Sequence, residues 1–325
     1  MSELVPDKAL LTTSLMPRSI AELGDGAMKA FVEFFAAQIR NRNTRLAYAR
    51  AVYRFLDWVE ARGLGLGDVE PVHIAAYVEA LGQPTAEGGG GFATASVKQH
   101  LSALKMLGSF LVIRQILPEN PAMLVRSPKL VVRTGKTPVL EGSDARELFN
   151  TIPDDTPGGL RDRALLGVMT YTFARISAVL ALDIEDYYQV GKRMVFRFHE
   201  KGGRHHEMPA HHTLVEYMDA YLAALGRSEG PIFCTINRRR TGFTETRLHR
   251  REALAMVKRR CRAAGLGDRF ANHSFRATGI TTYLKNGGRL EHAQYMAGHA
   301  SPRTTKLYDR RDQEASLDEI ERIVL

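Results

Sequence analysis

The stretch Tyr295–Arg311, which reads YMAGHASPRTTKLYDRR, pairs a glycine with a histidine and places a tyrosine nine residues after that histidine. Gly298 and His299 form the pair, and Tyr308 is the tyrosine. Taken alone, each residue has an ordinary structural interpretation, such as a half-buried ring for Tyr308. The stretch indicates a function only together with residues that precede it in the chain.

Four earlier residues complete a set with these two. They occur in three short segments: TFARISAVLAL contains Arg175, HEKGGRHHEMP contains Lys201, and ANHSFRATG contains His273 and Arg276. Arg175 alone reads as a surface charge and Lys201 alone as a hairpin-turn lysine. The order, the residue types and the spacings of all six form a composite signal that is far more specific than any of its parts.

This composite signal resembles the tyrosine recombinase (phage integrase) family over residues 138–315. In that family an arginine opens the set in an R-I-S context, a lysine lies on a β-hairpin, H-x-x-R follows, and G-H precedes a tyrosine by nine residues. The resemblance implies an enzyme that cleaves and rejoins duplex DNA through a 3′-phosphotyrosine, for integration, excision or resolution. The segment before residue 27 is shorter than the arm-binding domain of many phage integrases, which favours a Xer-like, plasmid-resolving or transposon-borne recombinase.

The resemblance also implies a role for each residue of the set. Arg175 and Arg276 would clamp the phosphate, because a guanidinium stays charged and grips two oxygens at once. His273 would act as the base, Lys201 would protonate the leaving oxygen, and His299 would hydrogen-bond the scissile phosphate. The expected catalytic residues are Arg175, Lys201, His273, Arg276, His299 and Tyr308, with Tyr308 as the nucleophile.

The chain departs from the family pattern at two positions. The family often has an acid three residues after the first arginine and a histidine directly after the second. Here those positions hold Ala178 and Ala277. Because such residues support the site, the departures bear on rate and regulation more than on reaction type.

The composition of the chain indicates how many domains it can form and which partners and locations suit it. The 325 residues are 44% hydrophobic, which is enough for two domain cores. A formal charge of +9 suits a phosphate-binding surface. No apolar run is long enough to span a membrane and no secretion signal is recognisable, so we expect a cytoplasmic protein without a membrane partner. Cys234 and Cys261 read as buried small hydrophobes rather than zinc ligands.

The chain is predicted to form a mainly α fold with a small antiparallel β-sheet in the catalytic domain, arranged as a two-domain DNA clamp. Residues 1–26 form a tail, 27–128 a helical core-binding (SAM-like) domain, 129–137 a basic linker, and 138–325 the catalytic domain with a C-terminal helix. The first domain is predicted from helical periodicity, as in Thr44–Arg62. The sheet is predicted from alternation around Met194–Phe198.

A short apolar stripe follows the tyrosine. It comprises Leu317, Ile320, Ile323 and Val324. Recombination acts on two duplexes, and proteins of the resembled family work as a cyclic tetramer on DNA, so this helix either docks on a neighbouring protomer or covers its own domain. The expected partners are double-stranded DNA and a homo-tetramer on paired sites, with no small-molecule substrate and no cofactor.

Two local clusters leave alternatives open. The histidine cluster could bind zinc, but no ordered carboxylate or cysteine set completes a site, so a polar hairpin near DNA is the competing interpretation; it consists of His199, His205, His206, His211 and His212. The run Arg238-Arg239-Arg240 is either a solvated loop or a backbone-phosphate contact.

Two rival functions also remain open at this stage. A type IB topoisomerase shares the site chemistry but relaxes supercoils without strand exchange. An accessory DNA-binding protein that has lost catalysis is the other rival, although such a protein is expected to lose at least one of the six residues. The target sequence is not readable from the chain.

Overall fold

The computed structural model describes residues 16–84, 90–130, 135–199, 205–310 and 321. The chain divides into two compact units, Met1–Val131 and Val132–Leu325. Among the described residues, no helix is both long enough and apolar enough to cross a bilayer. The fold is mostly helical with small antiparallel sheets, so the predicted fold class is confirmed.

The described parts of the first unit contain helices and no strand. Its α-helices are α1 (Arg18–Ala21), α2 (Asp25–Glu33), α3 (Arg42–Glu60), α4 (Pro71–Gly82) and α5 (Thr94–Ile113), and α2 continues into a π-helical turn at Phe34–Gln38.

Helix α3 shows how the sequence produces these elements. The Asn41 side chain accepts a hydrogen bond from the Thr44 amide at 3.1 Å and so caps the first turn. Val52, Phe55 and Val59 then recur at helical spacing and are all buried, as the periodicity predicts.

The second unit combines helices with two small sheets. Its helices are α6 (Gly142–Asn150), α7 (Pro157–Tyr171), α8 (Ile176–Ala181), α9 (His212–Leu225), α10 (Arg250–Ala263), α11 (Asn272–Lys285), α12 (Leu290–Met296) and α13 (Pro302–Lys306). Its strands are β1 (Tyr187–Val190), β2 (Arg193–His199), β3 (His205–Pro209), β4 (Cys234–Ile236) and β5 (Phe243–Arg247).

The predicted hairpin is strands β2 and β3, which pair antiparallel with Phe196 opposite Met208. The structure adds β1 on the other side of β2, so the sheet has the order β1-β2-β3. Strand β1 was not predicted because it is short and its burial does not alternate along the strand. The pair β4-β5 was also missed, since a strand of three residues gives almost no periodic signal.

The core of the second unit surrounds α7, which packs against α9 and α11. Leu165, Leu166 and Met169 of α7 are fully buried. Helix α11 approaches α7 closely at Gly279, where an added Cβ would lie 1.9 Å from the Thr170 carbonyl oxygen. Glycine is therefore required there. The close approach fixes the position of α11 along the C-terminal end of α7.

Some predictions fall on residues that the structure does not describe. Lys201 and the C-terminal stripe around Leu317 lie outside the described residues. The finer division into tail, linker and two domains stays a prediction. Cys234 and Cys261 are both buried, as expected.

Candidate active site

Helix α11 carries two of the predicted site residues on one face. His273 and Arg276 are three positions apart, which places them side by side on adjacent turns. The Ala271 amide donates to the Ser274 hydroxyl oxygen at 3.1 Å, which fixes the start of the helix. His273 keeps part of its surface exposed at this end and is partly covered at its contact with Tyr308, whereas Arg276 is only 2% exposed.

The Arg276 guanidinium is anchored by main-chain carbonyls. It donates to the Phe173 carbonyl oxygen through Nη1 and to the Ala297 carbonyl oxygen through Nη2, the latter at 2.7 Å. Phe173 has φ of 56°, a left-handed conformation that is unusual for a bulky aromatic residue. The bond to Arg276 helps to hold this strained peptide, and backbone strain of this kind concentrates at functional sites.

The glycine-histidine pair forms the end of α12. Gly298 has φ of 55°, and its amide donates to the Tyr295 carbonyl oxygen at 2.9 Å. The His299 amide donates back to Gln294 at 3.1 Å. A glycine suits this helix-terminating turn because it adopts left-handed angles without a Cβ penalty. The turn directs the buried His299 ring toward Arg276, with His299 Nε2 2.6 Å from Nη2.

Tyr308 lies against both histidines. Its hydroxyl oxygen is 2.8 Å from His273 Nε2, and its ring stacks on His299 with centroids 5.8 Å apart. Tyr308 is 8% exposed. The Thr281 hydroxyl of α11 donates to the Tyr308 carbonyl oxygen at 3.1 Å, which holds the backbone at this residue.

The segment at Tyr308 also contacts the beginning of the second unit. The Gly135 amide donates to the Leu307 carbonyl oxygen at 2.9 Å. The Arg310 guanidinium donates to the Thr137 carbonyl oxygen at 2.8 Å. Both flanks of Tyr308 are therefore fixed by hydrogen bonds to main-chain carbonyl oxygens within the second unit.

The surroundings of both histidines favour the neutral form of the ring. Loss of hydration, followed by the positive charges of Arg276, Arg175 and Arg250, lowers the pKa of His273 below its usual value. Loss of hydration and the charges of Arg276 and Arg175 lower the pKa of His299 to about 3. A neutral imidazole keeps one nitrogen able to accept a proton.

Arg175 is placed by the turn that follows Phe173. It is exposed, and its backbone caps the N-terminus of α8 in an extended conformation. Its positive charge lowers the pKa of both His273 and His299, so Arg175 lies near both rings. The structure thus gathers five of the six predicted residues, and Lys201 lies outside the described residues.

The two departures from the family pattern have different surroundings. Ala277 is fully buried in a small cluster with Phe173, Ile280 and Tyr308. The methyl group of Ala277 packs in the same cluster as Tyr308 and offers no hydrogen bond. Ala178 is partly buried against the main core of the second unit.

Two hydroxyl residues of the site were not predicted from the sequence. Thr281 binds the Tyr308 backbone, and the fully buried Thr305 lies 2.9 Å from His299 Nδ1 through its hydroxyl oxygen. The hydroxyl of Thr305 was visible in the TTK segment before Tyr308, but no periodicity distinguishes it from its neighbour Thr304.

The histidine cluster does not converge on one point within the described residues. His199 Nε2 contacts Asp186 at 2.9 Å, the His206 ring packs on Tyr295, and the His211 ring stacks on Tyr171. Across the described ranges, no group of three or more histidine, cysteine or acidic side chains could hold a metal ion. The run Arg238–Arg240 is an exposed turn.

Family models match most of the chain. The model described as "Phage integrase family" matches residues 138–315, and "Phage integrase, N-terminal SAM-like domain" matches residues 28–115. The chain is similar to the tyrosine recombinase XerD of Corynebacterium glutamicum, with 29% identity over 274 residues that cover 82% of this chain and 86% of the relative. It is also similar to the tyrosine recombinase XerC of Myxococcus xanthus, with 29% identity over 223 residues that cover 66% and 71% of the two chains.

Solved structures share the fold. The XerH site-specific recombinase bound to its difH substrate, in a pre-cleavage complex, superposes with a TM-score of 0.68 at 18% identity and covers 99% of this chain and 91% of that one. A lambda integrase tetramer bound to a Holliday junction superposes with a TM-score of 0.65 at 18% identity, covering 89% and 79%. With the matched models and the arrangement around Tyr308, the conclusion is that this chain belongs to the phage integrase family and is a tyrosine recombinase.

Proposed function

We propose that Tyr308 is the nucleophile of this recombinase and that Arg175, Lys201, His273, Arg276 and His299 assist it. The observation that carries the proposal is the 2.8 Å contact between the Tyr308 hydroxyl oxygen and His273 Nε2. A tyrosine hydroxyl has an ordinary pKa of about 10, so it must lose its proton as it attacks at neutral pH. A neutral histidine in contact with that hydroxyl is a suitable acceptor.

The proposed reaction transfers a phosphoryl group without external energy. Tyr308 oxygen forms a bond to the scissile phosphorus while the bond from phosphorus to the 5′ oxygen breaks. His273 takes the tyrosine proton, and Lys201 supplies a proton to the departing 5′ oxygen. Arg175 and Arg276 stabilise the charge that develops on the nonbridging oxygens. Attack by the 5′ hydroxyl of another strand reverses these steps and regenerates Tyr308.

The proposed partner is duplex DNA carrying a specific site, recombined by four protomers on two paired sites. The net charge of +9 supports binding to a polyanion. Two similar solved structures support it as well: XerH is bound to difH, and lambda integrase is a tetramer bound to a Holliday junction. The similarity to Xer recombinases favours a Xer-like reaction.

The test begins with the DNA sequence. Selection from a random duplex library with the full chain would identify the bound site. A nicked suicide substrate built on that site would then trap the covalent adduct, because the short strand beyond the break diffuses away. We expect the unmodified chain to form an adduct at Tyr308 and Tyr308→Phe to bind the same duplex without forming one. An adduct formed by Tyr308→Phe would contradict the assignment.

A second assay separates recombination from general relaxation. Plasmids carrying two selected sites should yield Holliday junctions and exchanged products. Relaxation of supercoils at any sequence, without exchange, would favour a type IB topoisomerase-like activity. Exchange should persist in excess EDTA, since the arginines supply the charge that a metal would otherwise provide. Loss in EDTA with recovery on adding zinc or magnesium would implicate a metal site.

Assembly is tested at the C-terminal stripe, which lies outside the described residues. If Leu317, Ile320 and Val324 dock on a neighbouring protomer, truncation after Asp312 should weaken complexes on paired sites more than binding to a single site. An apolar stripe contributes roughly 25 cal/mol per Å² buried, enough to decide a marginal association. Native gels with single-site and paired-site DNA would measure both. Unchanged pairing with a lowered melting temperature would indicate packing on the same chain.

A further inference from the structure

A buried row of three side chains runs from the helix before Tyr308 to the arginine of α11. Thr305 Oγ1 is 2.9 Å from His299 Nδ1, and His299 Nε2 is 2.6 Å from Arg276 Nη2. Thr305 is 0% exposed, His299 7% and Arg276 2%. Both ring nitrogens of His299 therefore face protein partners rather than solvent.

The chemistry of these partners fixes the position of the ring proton. A guanidinium has only donors, so the nitrogen that faces Arg276 must accept a hydrogen bond and carry no proton. A neutral imidazole has its proton on one nitrogen, and for His299 that nitrogen is then Nδ1. The Nδ1 proton points at Thr305, whose hydroxyl oxygen can accept it. The opposite tautomer would place two donors face to face between His299 and Arg276.

The electrostatic surroundings agree with a neutral ring. The pKa of His299 is lowered to about 3 by loss of hydration and by the neighbouring arginines, so the ring carries one proton at neutral pH. A protonated ring would have donors on both sides and would repel Arg276.

We propose that Thr305 is a positioning residue that holds His299 in the Nδ1-protonated tautomer and thereby keeps His299 Nε2 as an acceptor for the Arg276 guanidinium. The proposal rests on the function proposed for this site and deepens it. In this arrangement His299 fixes the plane of the Arg276 guanidinium, which in turn stabilises the charge on the phosphate. Thr305 touches no reacting atom.

The chain offers closely matched variants for the test. Thr305→Val keeps the size and branching of the side chain and removes the hydroxyl. Thr305→Ser keeps the hydroxyl and removes the methyl group. Thr304→Val is the control, because Thr304 is the adjacent residue of the same helix and its side chain is exposed.

The first readout is spectroscopic and independent of activity. Full-length protein labelled with ¹⁵N-histidine and free of DNA would be studied by long-range ¹H–¹⁵N correlation, with the His299 signals assigned by their loss in His299→Gln. We expect Nδ1 to be protonated in the unmodified protein, in Thr305→Ser and in Thr304→Val. We expect Thr305→Val to show the Nε2-protonated form or a mixture. Protonation of Nε2 in the unmodified protein would overturn the proposal.

The second readout is single-turnover cleavage of the suicide substrate. Thr305→Val should cleave about tenfold more slowly, the rate equivalent of roughly one lost hydrogen bond, while Thr305→Ser and Thr304→Val stay near the unmodified rate. A changed tautomer with unchanged cleavage, or slower cleavage with an unchanged tautomer, would each overturn the proposal. Thermal melting identifies a variant that fails to fold. If Thr305→Val does not fold, the cleavage rate of Thr305→Ser and the tautomer of His299 in the unmodified chain test the proposal. An unmodified chain that forms no adduct at Tyr308 refutes the proposed function alone, since the tautomer is measured without DNA.

Discussion

His273 Nε2 lies 2.8 Å from the hydroxyl oxygen of Tyr308, so the residue proposed as base already contacts the residue proposed as nucleophile in the protein without DNA. Both belong to the same chain, and Thr281 of the same helix as His273 fixes the Tyr308 backbone. Because of this contact, the protonation state of His273 should affect the cleavage rate, which can be measured as a function of pH.

The pH profile of cleavage should report His273. Because its pKa is lowered, the ring stays neutral as pH falls through the usual histidine range, and the acid limb of single-turnover cleavage should lie below about pH 6.5. Arg250→Gln removes one of the positive charges that act on the ring and should move this limb to higher pH. Arg251→Gln, at the next exposed position, is the control. A limb above the usual histidine range, or one that Arg250→Gln leaves in place, would argue against His273 as the base.

Arg276→Lys and Arg175→Lys should each reduce cleavage by about 100-fold or more while changing DNA affinity only slightly. Lysine keeps the positive charge, but a single ammonium cannot span the Phe173 and Ala297 carbonyl oxygens that Arg276 binds. Burst-phase adduct formation and gel-shift titrations measure the two quantities separately. Equal losses of cleavage and affinity would make these residues ordinary phosphate contacts.

Acid should destabilise the protein partly through His299. Its folded pKa of about 3 lies below the unfolded value of about 6.5, so its contribution is complete above pH 6.5 and is lost as pH falls toward 3. At pH 5 the loss should be ~2 kcal/mol relative to pH 7. Urea unfolding of the unmodified chain and of His299→Gln at both pH values isolates this part. A difference between the two proteins that does not change with pH would contradict the buried neutral ring.

Gly279→Ala should damage both stability and cleavage. The added methyl would meet the Thr170 carbonyl oxygen and the Phe173 ring, so α11 must move away from α7. We expect a loss of about 1 to 3 kcal/mol in unfolding free energy, together with slower adduct formation because His273 and Arg276 move with the helix. Gly142→Ala is the control, since its nearest neighbour lies 4.0 Å away. Unchanged cleavage in a destabilised Gly279→Ala would show that α11 shifts without disturbing the site.

The five candidate residues that the structure brings together could be singled out from the sequence because they combine unusual chemistry with regular spacing. The His273 to Arg276 interval is one helical turn, and Gly298 marks the end of a helix before His299, so sequence and geometry agree there. The supporting contacts were not predictable. The left-handed Phe173 contacts Arg276, which is distant in the sequence. Thr305 is buried against His299, whereas its neighbour Thr304 is exposed, and the sequence does not distinguish the two. The short strands β1, β4 and β5 were missed for want of periodicity.

The hydrogen bonds on both flanks of Tyr308 have a genetic consequence. Gly135 binds Leu307, and Arg310 binds Thr137, so the tyrosine is delivered beside the arginines of its own polypeptide. One active site therefore takes both groups from the same chain. A chain without the Tyr308 hydroxyl and a chain without the Arg276 guanidinium cannot form a complete site together. If the chain assembles as the proposed tetramer, the two lesions should fail to complement when mixed, and either defective allele should act dominantly over the intact one.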